Sequence, residues 1–156
     1  KLEILKDSHI GAFAVIMLGV YGLLYVAAFS EIQDMNLLQI VCAGFFLSRC
    51  LSGISVVSFP PAKKEGLLYS FASKAGKNIV KTSLYLQGTL CVLFMLGRSL
   101  FGGMIVAVVV LGVFAYYYYR SKKELGGITG DTAGYFVLLC ECSMLVAAAV
   151  INVVCM

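Results

Sequence analysis

Five stretches of this chain approach or reach the roughly 20 consecutive apolar residues that cross a bilayer: Gly11 to Phe29, Leu37 to Val57, Thr82 to Leu96, Leu100 to Tyr119 and Tyr135 to Met156. In lipid, every backbone N–H and C=O must find a partner within the protein, so such runs form helices. Strand-length apolar pieces at regular turn spacing are absent from the sequence. Only 13% of residues are charged, against about 25% in soluble proteins, while 61% are hydrophobic. The expectation is an all-α, polytopic integral membrane helix bundle with about five transmembrane helices. Residues 1 to 156 then make a single membrane-embedded domain. The third run is the weakest, because Lys81, Gln87 and Gly88 shorten its clean part. The chain starts with Lys1 rather than Met and is expected to be a fragment of a longer protein.

Alternating the runs across the membrane puts Lys1, Lys6, Lys63, Lys64, Lys74, Lys77, Lys81, Arg120, Lys122 and Lys123 on one side, with Arg98 on the other. By the positive-inside rule the basic side faces the cytoplasm. Glu31 to Asn36 is a short acidic link, and Pro60-Pro61 stops the second helix ahead of a polar segment. Within that segment Leu67, Leu68, Phe71 and Ala75 recur at helical spacing, as in an interfacial helix. Tyr116 to Tyr119 fall where the fourth run meets the cytoplasmic face, a usual place for aromatic rings. The basic residues cluster in loops without the aromatic interleaving of a nucleic-acid surface, so nucleic acid is excluded as a partner. The six cysteines form no CxxC and have no histidine near them, and they read as small hydrophobes rather than metal ligands.

Between the last two runs lies Gly126-Gly127-Ile128-Thr129-Gly130-Asp131-Thr132-Ala133-Gly134. Glycines let a backbone approach a ligand closely, and a carboxylate beside them suits an oxygen-liking cation such as Mg²⁺ carrying phosphate. A plain turn between helices has the same composition, and spacing alone does not separate the two. Lys6-Asp7-Ser8-His9 stands at the cytoplasmic entrance of the first helix. Asp7 or Ser8 caps that helix, or Asp7 joins Asp131 at a cation. His9 is a single interfacial histidine or a general base.

Arg49 lies inside an apolar run. It either snorkels to the interface or faces a cavity or partner. Glu141, inside the last run, either pairs with Arg49 or lines a substrate cavity. Lys63 or Lys64 can meet a phosphate. No Ser-His-Asp set, Walker loop or GxGxxG occurs.

Taken in order, Leu2-Glu3-Ile4-Leu5-Lys6-Asp7-Ser8-His9-Ile10-Gly11-Ala12-Phe13, then Leu47-Ser48-Arg49-Cys50-Leu51-Ser52-Gly53, then Gly126-Gly127-Ile128-Thr129-Gly130-Asp131 with Gly134 and Glu141, resemble the cobalamin synthase family. Its members are adenosylcobinamide-GDP ribazoletransferases. The resemblance implies a multi-pass bacterial or archaeal inner-membrane phosphotransferase of vitamin B12 biosynthesis with its active site toward the cytoplasm. It would join adenosylcobinamide-GDP to α-ribazole or its 5′-phosphate, releasing GMP, with Mg²⁺ as cofactor. The acid-rich motif of that family, of the form H-x-D-G-x-x-D-x-x-D-G, is expected upstream of Lys1. On this resemblance Asp131 and Asp7 are the metal ligands, and Arg49 stabilises developing charge. Lys6, Ser8, Gly126, Gly127, Thr129, Gly130, Gly134 and Glu141 line the substrate.

Two further classes stay open. Another Mg²⁺-dependent membrane enzyme that transfers a phosphoalcohol from a nucleoside diphosphate would share the aspartates. A non-catalytic subunit or permease would call for helix breaks near mid-membrane in matched halves, and this chain has its glycines at the surface and no internal repeat.

Overall fold

The computed structural model describes residues 11–62 and 76–155. Among the described residues five helices follow one another: α1 (Ala12–Ser30), α2 (Met35–Ser58), α3 (Lys77–Arg98), α4 (Leu100–Leu125) and α5 (Gly130–Cys155). All are long and apolar enough to cross a membrane. Among the described residues there is no β-strand, only an isolated bridge between Pro61 and Ile128. The segment holding Leu67, Leu68, Phe71 and Ala75, with Lys63, Lys64 and Lys74, lies outside the described residues, as do Lys6, Asp7, Ser8 and His9.

Three helices outrun their apolar stretches. α3 starts at Lys77 rather than Thr82, α4 continues past Tyr119 to Leu125, and α5 begins at Gly130 rather than Tyr135. A run of apolar residues measures the hydrocarbon core, whereas the helix continues through the headgroup layer. The 26 residues of α4 or α5 rise about 39 Å against a core of about 30 Å.

Local chemistry sets the ends. Asp34 caps α2 by accepting from the Asn36 amide at 3.0 Å, and Ser99 caps α4 by accepting from Gly102 at 3.2 Å. Phe59 is extended, as a residue before proline must be, so α2 stops where Pro60-Pro61 begins.

α2 and α5 form the centre. Ile40 and Leu47 of α2 pack with Phe136, Cys140 and Met144 of α5, closed by Met95 of α3 and Val106 and Val110 of α4, while Val41 of α2 and Leu145 of α5 form a second cluster with Ala28 of α1. α1 lies outermost, against α5, with Ala28 buried and the Tyr21 hydroxyl donating to the Leu138 carbonyl at 3.2 Å. At the Arg98 end, Asn152 of α5 donates to the Glu31 carbonyl at 2.9 Å and accepts from the Asp34 amide at 3.4 Å. The α1–α2 link is thereby fixed to the end of α5. Cys50, Cys91, Cys140 and Cys142 are buried free thiols, in keeping with small hydrophobes, and Cys42 is exposed.

Candidate functional site

The glycine-rich stretch is only half a loop. Gly126 ends α4 in the left-handed region, φ 70°, its amide donating to the Lys122 carbonyl at 3.2 Å. Gly127 to Thr129 make the link, and Gly130, Asp131 and Gly134 belong to the first turns of α5. Thr129 caps that helix reciprocally with Thr132. The Thr132 amide donates to Thr129 Oγ1 at 3.2 Å, and the Thr129 amide donates to Thr132 Oγ1 at 2.9 Å. This is a capping box with threonine in the place usually held by glutamate.

Gly127 does not meet open space. A Cβ there would lie 2.5 Å from the Pro60 carbonyl oxygen and 2.7 Å from the Ala62 nitrogen. The neighbouring amides close two hydrogen bonds, Ile128 N–H to Pro60 O at 3.1 Å and Ala62 N–H to Ile128 O at 2.9 Å. The close approach that the sequence assigned to a ligand is taken at Gly127 by the chain's own backbone. Ile128, 2% exposed, anchors the clamp beneath. Sequence reasoning missed this pairing, because its partners are backbone groups far apart along the chain, Pro60 and Ala62 against Ile128.

Gly130 and Gly134 differ from Gly127. Nothing lies within 4 Å of a Cβ built on either one. Both are exposed, and Asp131 between them is exposed in the first turn of α5. Asp131 and Gly134, three residues apart, share a face. A carboxylate therefore stands on a strip of bare backbone, at the helix end where N–H groups and the positive pole of the dipole point outward. This end also carries Arg120, Lys122 and Lys123.

Asp131 suits one ligand position of a Mg²⁺ ion, which takes one or two carboxylates together with waters and substrate phosphates. Among the described residues no three His, Cys, Asp or Glu side chains gather into a metal set. Asp7, the second expected ligand, is outside the described residues.

Arg49 and Glu141 are brought together. Arg49 Nη2 lies 2.9 Å from Glu141 Oε1, with Arg49 66% exposed and Glu141 10% exposed at the side chain. Ser48 Oγ stands 3.5 Å from the same oxygen. Of the two readings of Glu141, the structure shows the ion pair. Arg49 neither snorkels alone nor turns to the cytoplasmic end. Ten residues along α5 separate Glu141 from Asp131, about 15 Å, so the ion pair stands about three helical turns below the Asp131 end. The sequence left open whether Arg49 meets Glu141, since the two lie 92 residues apart on different helices.

The tyrosine cluster divides. Tyr117 is 2% exposed and stacks on Phe136 at 5.0 Å, while Tyr116, Tyr118 and Tyr119 remain exposed. Four consecutive helical residues point to all sides, so they cannot share one boundary.

The fold defines a multi-pass helical membrane protein, with Asp131 and the bare Gly130 and Gly134 backbone at its basic end. The profile of the family described as Cobalamin-5-phosphate synthase (CobS) matches residues 1–149. The chain belongs to that family. It is 41% identical over 142 residues to an adenosylcobinamide-GDP ribazoletransferase of Lachnoclostridium phytofermentans, covering 90% of this chain and 54% of that protein. It is 33% identical over 145 residues to the one of Clostridium perfringens strain SM101, covering 90% and 56%. It is 32% identical over 155 residues to the one of Mesorhizobium japonicum, covering 96% and 56%. The chain thus spans about half the length of the curated relatives it matches. No solved structure matches it.

Proposed function

We propose that this chain is part of an adenosylcobinamide-GDP ribazoletransferase, a phosphotransferase that joins adenosylcobinamide-GDP to α-ribazole or its 5′-phosphate and releases GMP. The observation that carries the reading is Asp131, exposed on the bare Gly130 and Gly134 strip at the α5 N-terminus, in a chain of this family. We place that end at the cytoplasmic face of the inner membrane, because Lys81, Arg120, Lys122 and Lys123 lie there and Arg98 lies opposite.

In the reaction a ribose hydroxyl attacks the cobinamide-side phosphorus in line. One P–O bond forms as the bond to GMP breaks, and the hydroxyl proton passes to solvent. Asp131 would hold Mg²⁺, which when bound neutralises charge on the phosphate oxygens. The open backbone of Gly130 and Gly134 lets the pyrophosphate come close, and the helix dipole favours its charge. Gly126, Gly127 and Thr129 shape this end through the turn, the clamp and the cap. Arg49 and Glu141 hold α2 on α5.

The test is conversion of adenosylcobinamide-GDP plus α-ribazole by the full-length protein in membranes, with GMP and the corrinoid product quantified. Asp131→Asn should insert normally and lose turnover by about two orders of magnitude or more, the range for removing an electrostatic stabiliser. Near-normal turnover at saturating Mg²⁺ would remove Asp131 from the metal role.

A further inference from the structure

Between α2, α3 and α4 runs an apolar groove of about 360 Å³, lined along its length by Leu51 and Ile54 of α2, Leu84 and Thr89 of α3, and Ala107 and Leu111 of α4. Both outer walls end in the same way at the basic face. On α3 the stripe Thr89, Tyr85, Lys81 climbs at four-residue steps, and Lys81 Nζ lies 5.9 Å from the Tyr85 ring centroid. On α4 the stripe Ala107, Leu111, Tyr118, Lys122 climbs along one helix face, and Lys122 Nζ lies 5.8 Å from the Tyr118 ring. Tyr118 is fixed in turn by Phe59 at the end of α2, with ring centroids 4.5 Å apart.

We propose that this groove binds one anionic phospholipid, an acyl chain lying along Leu51, Leu84 and Leu111 and the headgroup phosphate taken between Lys81 and Lys122. Charge complementarity selects the occupant. Apolar walls fit a hydrocarbon chain, and a tyrosine-then-lysine order matches the passage from acyl chain to phosphate in the cytoplasmic leaflet. Neither ammonium is ion-paired among the described residues. Arg120, by contrast, is engaged by Glu124 at 3.6 Å and donates to the Tyr116 hydroxyl at 3.2 Å. Lys123 sits over Tyr119, one residue round from the groove stripe. The site is separate from Asp131, which lies on α5 and not on any wall of the groove.

The experiment is native mass spectrometry of the full chain, delipidated in mild detergent and titrated with phosphatidylglycerol, with phosphatidylcholine of the same acyl chains, and with inorganic pyrophosphate. One phosphatidylglycerol should bind in preference to phosphatidylcholine, and pyrophosphate should not displace it. Lys81→Gln/Lys122→Gln should weaken that binding about thirtyfold, the scale of two lysines at an anionic surface. The charge-matched pair Arg98→Gln/Lys123→Gln should leave it within about twofold, and Ala107→Phe, which fills the groove, should weaken it with the lysines intact. Lys81→Arg/Lys122→Arg keeps both charges and should keep the lipid. Equal binding of the two lipids, equal loss in the charge-matched pair, displacement by pyrophosphate, or loss in the arginine pair would each overturn the assignment. Displacement by pyrophosphate would identify the lysines as a soluble-phosphate site instead.

Discussion

Three glycines within five residues should respond to the same substitution in three different ways. At Gly127 an added Cβ meets only backbone: the Pro60 oxygen at 2.5 Å, the Ala62 nitrogen at 2.7 Å and the Pro61 carbonyl carbon at 2.8 Å. No side chain there can rotate aside. Its φ is not positive, so the penalty is wholly steric. Gly127→Ala must part the two segments and give up the hydrogen bonds at 2.9 and 3.1 Å, each contributing about 1 kcal/mol net. A loss of about 2 kcal/mol corresponds to a roughly thirtyfold larger opening equilibrium constant of the clamp. Hydrogen exchange of the Ala62 and Ile128 amides in nanodiscs reads it directly. Gly126→Ala has open space but must hold φ 70°, costing about 1 to 2 kcal/mol without opening the clamp. Gly130→Ala has open space in a helical first turn and should be neutral or stabilising by about 0.5 kcal/mol. Unchanged exchange at Ala62 and Ile128 in Gly127→Ala, or equal effects at all three glycines, would refute the reasoning.

The Arg49–Glu141 pair should behave as a unit inside the membrane. Glu141→Ala, which removes the partner of the guanidinium, should cost about 1 kcal/mol, whereas Arg49→Met/Glu141→Leu should return most of that stability; steric-trapping unfolding in bicelles measures the cycle, and additive losses would remove the pairing. Thr129→Val removes the hydroxyl of the α5 capping box and should cost about 1 kcal/mol, seen as faster exchange of the Thr132 amide with that of the Asn36 amide at the Asp34 cap unchanged.

Helix number, helix order and the basic end of the bundle were legible in the sequence because each depends on composition along the chain. Apolar length gave the five spans, Pro60-Pro61 gave the end of α2, and lysine placement gave the basic face. The candidate site was legible only in part. Asp131 stands at the basic end in the open, as expected. Gly127, grouped with it by motif, supports a neighbouring segment rather than open space. Arg49, grouped with it by resemblance, bonds Glu141 some 15 Å away along α5. The second aspartate, Asp7, lies outside the described residues.

α1 and α5 show most plainly where sequence stops deciding. Their mean hydropathies are 2.2 and 2.3, yet 6% of the α1 span is buried and 56% of the α5 span. In water an amphipathic stripe would have marked the inward face of each helix. In lipid the outward face is apolar too, so helices associate through close packing and a few polar contacts rather than through exclusion of hydrophobic surface. The sequence by itself therefore determined that five helices cross, in which order, and which end is basic. Tertiary packing alone decided that α5 is central and α1 peripheral, that Tyr117 turns inward on Phe136, and that Pro60 to Ala62 lock against Gly127 and Ile128. Those outcomes depend on which shapes and backbone groups meet across the chain, and no local run of residues carries that information.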